Sequence, residues 1–167
     1  MMPDLTPFAD WLAATPVSMF VQNTEWVWPT CEAIHFIGLA LVIGSIGMVD
    51  LRLLGVEKQL PFESVHRFVR WGILGFLVNL ATGLLFFAGS PHQYISNAAF
   101  GWKLLFLGVA GVNILLFYGT GLFRAVETLA AGEDAPLRAK IVGATSLFCW
   151  AAVMYMGRML PYIGNAF

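Results

Sequence analysis

The sequence predicts an all-α integral membrane protein, a bundle of four transmembrane helices with an N-terminal interfacial helix. Two observations predict this fold class. Of the 167 residues, 59% are hydrophobic and only 11% are charged, whereas a soluble domain has about 45–50% apolar and about 25% charged residues. In addition, the apolar residues collect in four long runs that contain few charges.

Each of the four runs is long enough to cross a hydrocarbon core, which requires about 20 mostly apolar residues in a helix. A chain of this length is expected to form one domain, so we assign residues 1–167 to a single membrane domain. The predicted transmembrane helices are residues 32–54, 67–89, 101–123 and 139–160.

Residues 1–28 precede the first run and are predicted to lie in the membrane interface. This segment lacks the basic start and the clean apolar stretch of a signal peptide. Two Thr-Pro pairs, at Thr6 and Thr15, indicate helix starts, and aromatic residues are frequent among the first 28. We therefore expect one or two short helices there. Ser90-Pro91 predicts another short helix, and Asn97 is predicted to cap the third span.

The basic residues predict the orientation in the membrane. Lys103 and Arg158 lie at one set of helix ends, and seven basic residues lie at the other set. Because Lys and Arg accumulate on the cytoplasmic side, we expect a multi-pass protein of a bacterial inner membrane, with Leu51–Arg67 and Arg124–Lys140 cytoplasmic and both termini periplasmic. The seven residues are Arg52, Lys58, Arg67, Arg70, Arg124, Arg138 and Lys140.

The charge composition also limits the partners. A net charge of -1 and scattered basic residues provide no surface for nucleic acid. The one partner that the composition requires is membrane lipid. The sequence leaves open whether the chain acts alone, as a homo-oligomer or as a subunit of a larger membrane complex.

Polar side chains inside the apolar runs are the candidate functional residues, because ionisable and amide groups are costly in hydrocarbon. Glu32 and His35 are three residues apart in the first run, so they share one helix face. The other candidates are Asn79, Asn113, Tyr155 and Arg158, joined by His92 from the connection before the third span. Most of these residues fall near the periplasmic ends of the predicted helices.

One interpretation of this set is a site for a single b-type haem. The chain has three histidines, too few for two bis-histidine haems. His66 begins the second span at its other end, about a membrane thickness from His35. This leaves His35 and His92 as the same-side bis-histidine pair of axial ligands, with Met154, Met156 or Met159 as a methionine alternative to His92. Glu32 would orient His35, while Asn79, Tyr155 and Arg158 would surround the cofactor.

Copper is an alternative metal, because imidazole and thioether groups select Cu(I). Met156 and Met159 on the fourth span would then join His35 and His92. A cofactor-free alternative also remains open. Under it, Glu32 pairs with Arg158, His35 bonds a neighbouring carbonyl, and the glycine-rich face of the second span packs against another helix.

The first span closes with Asp50 and Arg52, which are two residues apart and cannot face each other on a helix. Each is expected to have its own partner. Arg70 is the candidate for Asp50, and Glu57, Glu63 or a lipid phosphate is the candidate for Arg52. We interpret both as anchors at the cytoplasmic headgroups.

The distribution of motifs resembles a family of small bacterial four-helix inner-membrane proteins of unknown function, and the likeness covers nearly the whole chain. The resemblance implies no activity. More distantly, a histidine at the outer end of the first helix is similar to that of small b-type cytochromes and copper-resistance membrane proteins. The motifs are W-x-x-P at Trp26–Pro29, E-x-I-H-F at Glu32–Phe36, D-L-R-L-L-G at Asp50–Gly55, W-G-x-L-G-F at Trp71–Phe76, Y-x-x-N-x-x-F at Tyr94–Phe100 and G-R at Gly157–Arg158.

The expected function is therefore electron transport by one haem near the periplasmic face, with a quinol or a periplasmic redox protein as the exchange partner. The alternatives are a cofactor-free accessory subunit and a copper-handling protein. The sequence does not decide whether the chain is an enzyme.

Overall fold

The computed structural model describes residues 5–163, whose regular elements are all helices and which contain no strand. Four of the helical stretches are long and apolar enough to cross a membrane. The predicted fold class, a multi-pass helical membrane protein, is confirmed. The predicted interfacial segment begins at residue 1, and its first four residues lie outside the described part of the chain.

Two short helices precede the first span, as the two Thr-Pro pairs predict. Helix α1 is Thr6–Ala13 and helix α2 is Pro16–Asn23. Thr15 caps α2, since its hydroxyl oxygen accepts a hydrogen bond from the Ser18 amide. Thr6 differs from the expectation, because it is the first residue of α1 and Leu5 occupies the capping position.

The first span, α3, is Val27–Leu54. It begins five residues before the predicted start at 32, so Trp28, Pro29 and Cys31 belong to the helix. Its end agrees with the prediction and is set by Gly55, whose φ of 94° places it in the left-handed region. A residue with a Cβ is strained there, and the Gly55 and Val56 amides bond back to carbonyls of the last turn.

The second span is interrupted near its start. Helix α4, Phe62–His66, is followed by α5, Val69–Gly89. The short helix α6, Pro91–Ile95, leads to α7, Ala98–Gly119. The prediction that Asn97 caps the third span is confirmed, because its side-chain oxygen accepts from the amides of Ala99 and Phe100.

The third span ends earlier than the predicted residue 123. Helix α7 stops at Gly119, and Gly121, with φ of 79°, starts the separate helix α8, Leu122–Val126. The apolar pattern continues through Leu122 and Phe123, so hydropathy alone extends the span too far. The fourth span, α9, is Leu137–Met159.

The four long helices pack in the spatial order α5, α3, α9, α7. Helix α3 contacts both α5 and α9, and α7 packs on α9, whereas α5 and α7 approach each other little. We call the side with α1, α2 and α6 the α6 face. The side with α4, α8 and the connection before α9 is the α4 face.

Helices α3 and α5 make their closest approach at two glycines. A Cβ added to Gly75 would lie 2.5 Å from the Gly38 carbonyl oxygen, and one added to Gly38 would lie 2.9 Å from the Gly75 carbonyl oxygen. Small residues permit such backbone contact in membranes. The glycine-rich face of α5 is therefore a packing surface at this level, although Gly83, further along the helix, has no neighbour within 4 Å.

Candidate functional site

His35 lies in the half of α3 nearer the α6 face and is partly buried. Its Nδ1 atom is 2.7 Å from the hydroxyl oxygen of Thr82 on α5. The Thr82 hydroxyl also lies 2.8 Å from the Val78 carbonyl oxygen, to which it donates. A hydroxyl has one hydrogen to give, so Thr82 accepts from His35. In the neutral imidazole, Nδ1 therefore carries the hydrogen and Nε2 has a free lone pair.

Aromatic rings support the His35 imidazole. The ring of Phe86, one turn beyond Thr82, lies 5.5 Å from the imidazole centroid in an edge arrangement. Trp28 packs in turn on Phe86, with centroids 5.0 Å apart. These rings restrict the rotation of His35 on one side, while the Thr82 bond fixes it on another. The arrangement holds a single neutral nitrogen in a defined direction.

Lys103, in the first half of α7, is the basic side chain of this region. It is partly buried, and its charge acts on His35. Its Nζ atom would lie 3.6 Å from a Cβ built on Gly157 of α9, so the amine sits where α7 and α9 meet. Lys103 forms no ion pair with any residue between 5 and 163. A cation at this depth without a carboxylate partner favours an anionic ligand group.

Glu32 is exposed on α3, and its charge reaches Tyr94 of α6. Burial, with a smaller contribution from Glu32, raises the pKa of Tyr94 to about 12, so the phenol keeps its proton at neutral pH. Glu32 was expected to orient His35. The hydrogen bond from His35 Nδ1 goes instead to Thr82.

His92 has a partner of its own on the α6 face. Its Nε2 atom lies 3.2 Å from a carboxylate oxygen of Asp10 on α1, and both side chains are exposed. This pair joins α6 to α1. The two histidines of the predicted haem site are thus held by different elements, His35 by α5 and His92 by α1.

Asn79 is also engaged within the bundle. In the amide orientation that pairs donors with acceptors, its nitrogen donates to the His35 carbonyl oxygen at 2.7 Å and its oxygen accepts from the Leu39 amide at 3.1 Å. The side chain therefore joins α5 to the backbone of α3. It fixes the turn of helix that carries His35, and both ends of its amide are used there.

The remaining predicted site residues lie on or near α9. Tyr155 is 59% exposed. Arg158 is exposed and stacks on Tyr162, with its guanidinium carbon 5.5 Å from the ring centroid. Met156 and Met159 are partly buried. These side chains form the part of the α6 face next to Lys103 and Gly157.

The donor set fits some metal centres better than others. Residues 5–163 contain no group of three or more His, Cys, Asp and Glu side chains that could hold a metal ion, and Cys31 and Cys149 are both free and buried. A haem needs only one or two protein ligands, because the macrocycle supplies four nitrogens. A histidine that donates its Nδ1 hydrogen to a fixed acceptor has the form of such a ligand.

At the α4 face, the prediction that Arg52 has an acidic or phosphate partner is wrong. Its side chain is 1% exposed and donates to three main-chain carbonyls, those of Leu60, Ala130 and Glu133, at 2.6, 3.2 and 3.1 Å. Arg52 thus ties two connections to the end of α3. Asp50, 4% exposed, has the Ser146 hydroxyl beside it rather than the expected Arg70.

Sequence reasoning missed two residues of the site, Thr82 and Lys103. Thr82 follows Asn79 by three residues, so both lie on the face of α5 that meets α3. That spacing is the signal that was available. Lys103 was used for orientation and was not predicted as a site residue, although it is the one basic residue in the apolar run from 98 to 119. A lone basic residue within a span is a functional candidate by itself.

Comparison with known proteins gives a family and no activity. No curated protein and no solved structure matches the chain. A family of unknown function (DUF6644) matches residues 8–164. The match includes all four spans together with the residues around His35, Thr82 and Lys103. The chain therefore belongs to this family.

Proposed function

We propose that the protein is a redox protein of the bacterial inner membrane that would carry one b-type haem near the α6 face, held by His35. The observation that carries this proposal is the 2.7 Å contact between His35 Nδ1 and the Thr82 hydroxyl oxygen, in which we assign Nδ1 as the donor because the Thr82 hydroxyl donates to the Val78 carbonyl. It leaves Nε2 unprotonated, the state in which an imidazole binds iron, and a fixed acceptor for the other nitrogen is typical of ligating histidines.

The neighbours of His35 have roles consistent with a haem. Lys103, which has no carboxylate partner among residues 5–163, would pair with a propionate, and exposed Arg158 would serve the second one. Bound haem would supply one-electron chemistry, with a quinol or a periplasmic redox protein as the exchange partner. Asn79 would act by holding the backbone at His35, while Glu32 and Tyr155 would border the site.

The opposite ligand is proposed to be His92. Its imidazole contacts Asp10, so ligation requires that His92 leave this carboxylate. Met156 and Met159 on α9 are the thioether alternatives, and they would give a His/Met centre with a higher potential. Variants at His92 and Met156 separate the two cases, because a His/His and a His/Met haem differ in their visible spectra.

The proposed orientation places the α6 face and both termini in the periplasm. Its support is the excess of Lys and Arg around the connections of the α4 face. Single cysteines at positions 58 and 133 should resist a membrane-impermeant thiol reagent added to cells, whereas one at position 25 should react. The reverse pattern would overturn the orientation.

The experiment for the cofactor is the visible spectrum of the full-length protein, produced with ample haem and measured oxidised and dithionite-reduced. A Soret band that shifts on reduction is expected. His35→Ala should abolish it. The matched control is His66→Ala, because His66 lies at the α4 face, where its Nε2 atom is 2.9 Å from the Tyr118 hydroxyl, and it should leave the spectrum unchanged.

A colourless wild-type protein free of iron would overturn the haem proposal. Copper found by elemental analysis, with loss on His35→Ala or Met156→Leu, would assign the copper alternative. Absence of both metals favours an accessory subunit without a cofactor. The observation that favours this second function is the internal pairing of polar groups on the same face, with Asn79 bonded to α3 and His92 to Asp10.

A further inference from the structure

A groove opens on the α4 face, on the opposite side of the membrane from His35. It has a volume of about 310 Å³, which lies at the lower end of the ~300–1,000 Å³ typical of small-molecule sites. It runs between helix α4 and helix α8 with the residues that follow α8. The lining residues are Phe62, Glu63, His66, Phe123, Glu127 and Thr128.

Aromatic rings form the floor of this groove. The imidazole of His66 stacks on Phe62, with centroids 5.7 Å apart, and contacts Phe123 at 4.8 Å. Its Nε2 atom bonds the Tyr118 hydroxyl. The hydrogen bond and the two ring contacts hold His66 in place, so the groove presents a rigid aromatic surface. Aromatic faces attract organic cations.

The rim carries two carboxylates, of which one is unpaired. Glu63 is bound to Arg67 at 2.9 Å. Glu127 forms no ion pair within the described residues, and its charge reaches His66. The free carboxylate above an aromatic floor selects a cation. Arg67 is held at the rim by its bond to Glu63, and Arg124 is exposed and follows Phe123 in the chain, so basic groups are available to an anion near the cation site.

Apolar surface continues from the groove into the membrane. Helices α5 and α7 approach each other little. At the α4 face, His66 of α4 bonds Tyr118 of α7, and at the α6 face a ring contact between Phe87 and Phe100 connects α5 to α7. One turn before Tyr118 on α7, Leu115 is 72% exposed. An acyl chain below the groove would lie against this surface.

We propose that the groove binds the headgroup of phosphatidylethanolamine. The primary ammonium lies between the Glu127 carboxylate and the rings of Phe123 and His66, the phosphate meets Arg67 or Arg124, and one acyl chain follows the gap between α5 and α7. Phosphatidylethanolamine carries an ammonium, a phosphate and acyl chains in that order along the molecule. The surface offers a carboxylate, basic side chains and an apolar gap in the same order. The site is independent of His35 and of any haem.

The test is native mass spectrometry of the full-length protein, titrated with phosphatidylethanolamine and with phosphatidylglycerol of the same acyl chains. The wild type should bind phosphatidylethanolamine about tenfold more tightly, as expected for one charge-assisted hydrogen bond. Glu127→Gln should remove this preference and leave the affinity for phosphatidylglycerol unchanged. The control is Glu25→Gln, an exposed carboxylate at the α6 face, which should retain the preference.

Glu127 is exposed, so its amide variant should fold, and an unchanged unfolding midpoint verifies this. Phe123→Leu offers a second variant that weakens the aromatic floor and should also lower the affinity. Equal binding of the two lipids by the wild type would overturn the proposal, as would an undiminished preference in Glu127→Gln. The last titration uses soluble glycerophosphoethanolamine, which has the headgroup but no acyl chains. If it bound as tightly as the lipid, the ligand would be the free headgroup and the lipid assignment would fail.

Discussion

Arg52 and His35 lie near opposite ends of α3, and both are polar side chains inside an apolar bundle. Their hydrogen bonds are arranged in different ways. Arg52 is buried and distributes its donors over three main-chain carbonyls from two connections. His35 is partly buried and uses one nitrogen for Thr82, while its second nitrogen keeps a free lone pair. The first arrangement completes a fold. The second keeps a reactive atom available.

The difference indicates where chemistry is to be expected in this molecule. A group whose hydrogen bonds all end on main-chain carbonyls can be replaced only at the expense of the fold, although Nη1 of Arg52 is buried and has no partner among the described residues. A group fixed by one neighbour and open on the other side is preorganised for binding. Substitutions at the two ends of α3 should therefore differ in kind as well as in size.

The largest effect is expected for Arg52→Met. The substitution leaves the carbonyls of Leu60, Ala130 and Glu133 without their donor and should reduce the free energy of unfolding by about 3–5 kcal/mol. Equilibrium unfolding in detergent measures this loss, and protease cleavage in residues 56–60 and 128–134 should increase. Arg52→Lys keeps the charge but lacks the planar fork, so it should recover only part of the stability. A fully stable Arg52→Met would break the contrast with His35.

Gly75→Val should have the next largest effect. The added Cβ would meet the Gly38 carbonyl oxygen at 2.5 Å, so α3 and α5 must separate, at an expected cost of about 1–3 kcal/mol. The separation should also break the bond between His35 and Thr82. Gly83→Ala is the matched control, since nothing lies within 4 Å of a Cβ there. Equal stability of the two variants in unfolding experiments would contradict the close crossing.

Thr82→Val sharpens the comparison at His35, because it removes the acceptor while the shape stays similar. The stability should fall by only about 0.6 kcal/mol, a common value for a hydrogen bond between membrane helices. The imidazole should change more, from one tautomer to a mixture. Nitrogen chemical shifts of His35 measured by NMR report the tautomer. Thr82→Ser, which retains the hydroxyl, should keep the wild-type shifts, and an unchanged spectrum in Thr82→Val would remove the basis for a fixed ligand.

The smallest effect on stability is expected from a change of pH. It concerns Asp134, in the connection between α8 and α9 to which Arg52 donates. Asp134 accepts hydrogen bonds from Lys140 and Lys58, at 2.6 and 3.2 Å, and these bonds hold its pKa below the usual range. The stabilisation is therefore complete above the unfolded-state pKa near ~3.9 and is lost as the pH falls through the lower folded-state pKa. Carboxyl carbon shifts should locate this titration.

Pepsin offers a second measure of the same event, because it cleaves at acid pH. Cleavage in residues 128–136 should rise as Asp134 becomes protonated. In Asp134→Asn the connection should be cleaved to a similar extent across this pH range. If wild type and variant showed the same pH dependence, another group would be responsible.

The sequence predicts the spans well and the polar contacts poorly, for physical reasons. Hydropathy identifies four spans because lipid selects composition over about 20 residues. It misses the end of α7 because Leu122 and Phe123 continue the apolar pattern after the left-handed Gly121. It does not predict the short helix α4, which precedes the predicted start of the second span at residue 67.

At the site, His35 stands out because ionisable residues in spans are rare. Its partner Thr82 does not stand out, because a threonine in a membrane helix commonly bonds its own backbone, as Thr82 also does. The partners of Arg52 are main-chain atoms, and two of them lie 78 and 81 residues away. Every residue has a main-chain carbonyl, so the sequence does not show which ones accept from Arg52. Sequence reasoning therefore favours a carboxylate, and Arg52 does not bind one.

The spatial order of the helices also has a consequence for biosynthesis. Helix α3 leaves the ribosome first among the spans, and its main partner α5 follows directly. Helix α7 packs on α9, which follows it in the chain. In the nascent chain α3 and α5 are therefore already paired while α7 lies in lipid without its partner α9. In this interval Lys103 lacks the α9 surface at Gly157, and the His35 region is completed only once α9 has been made.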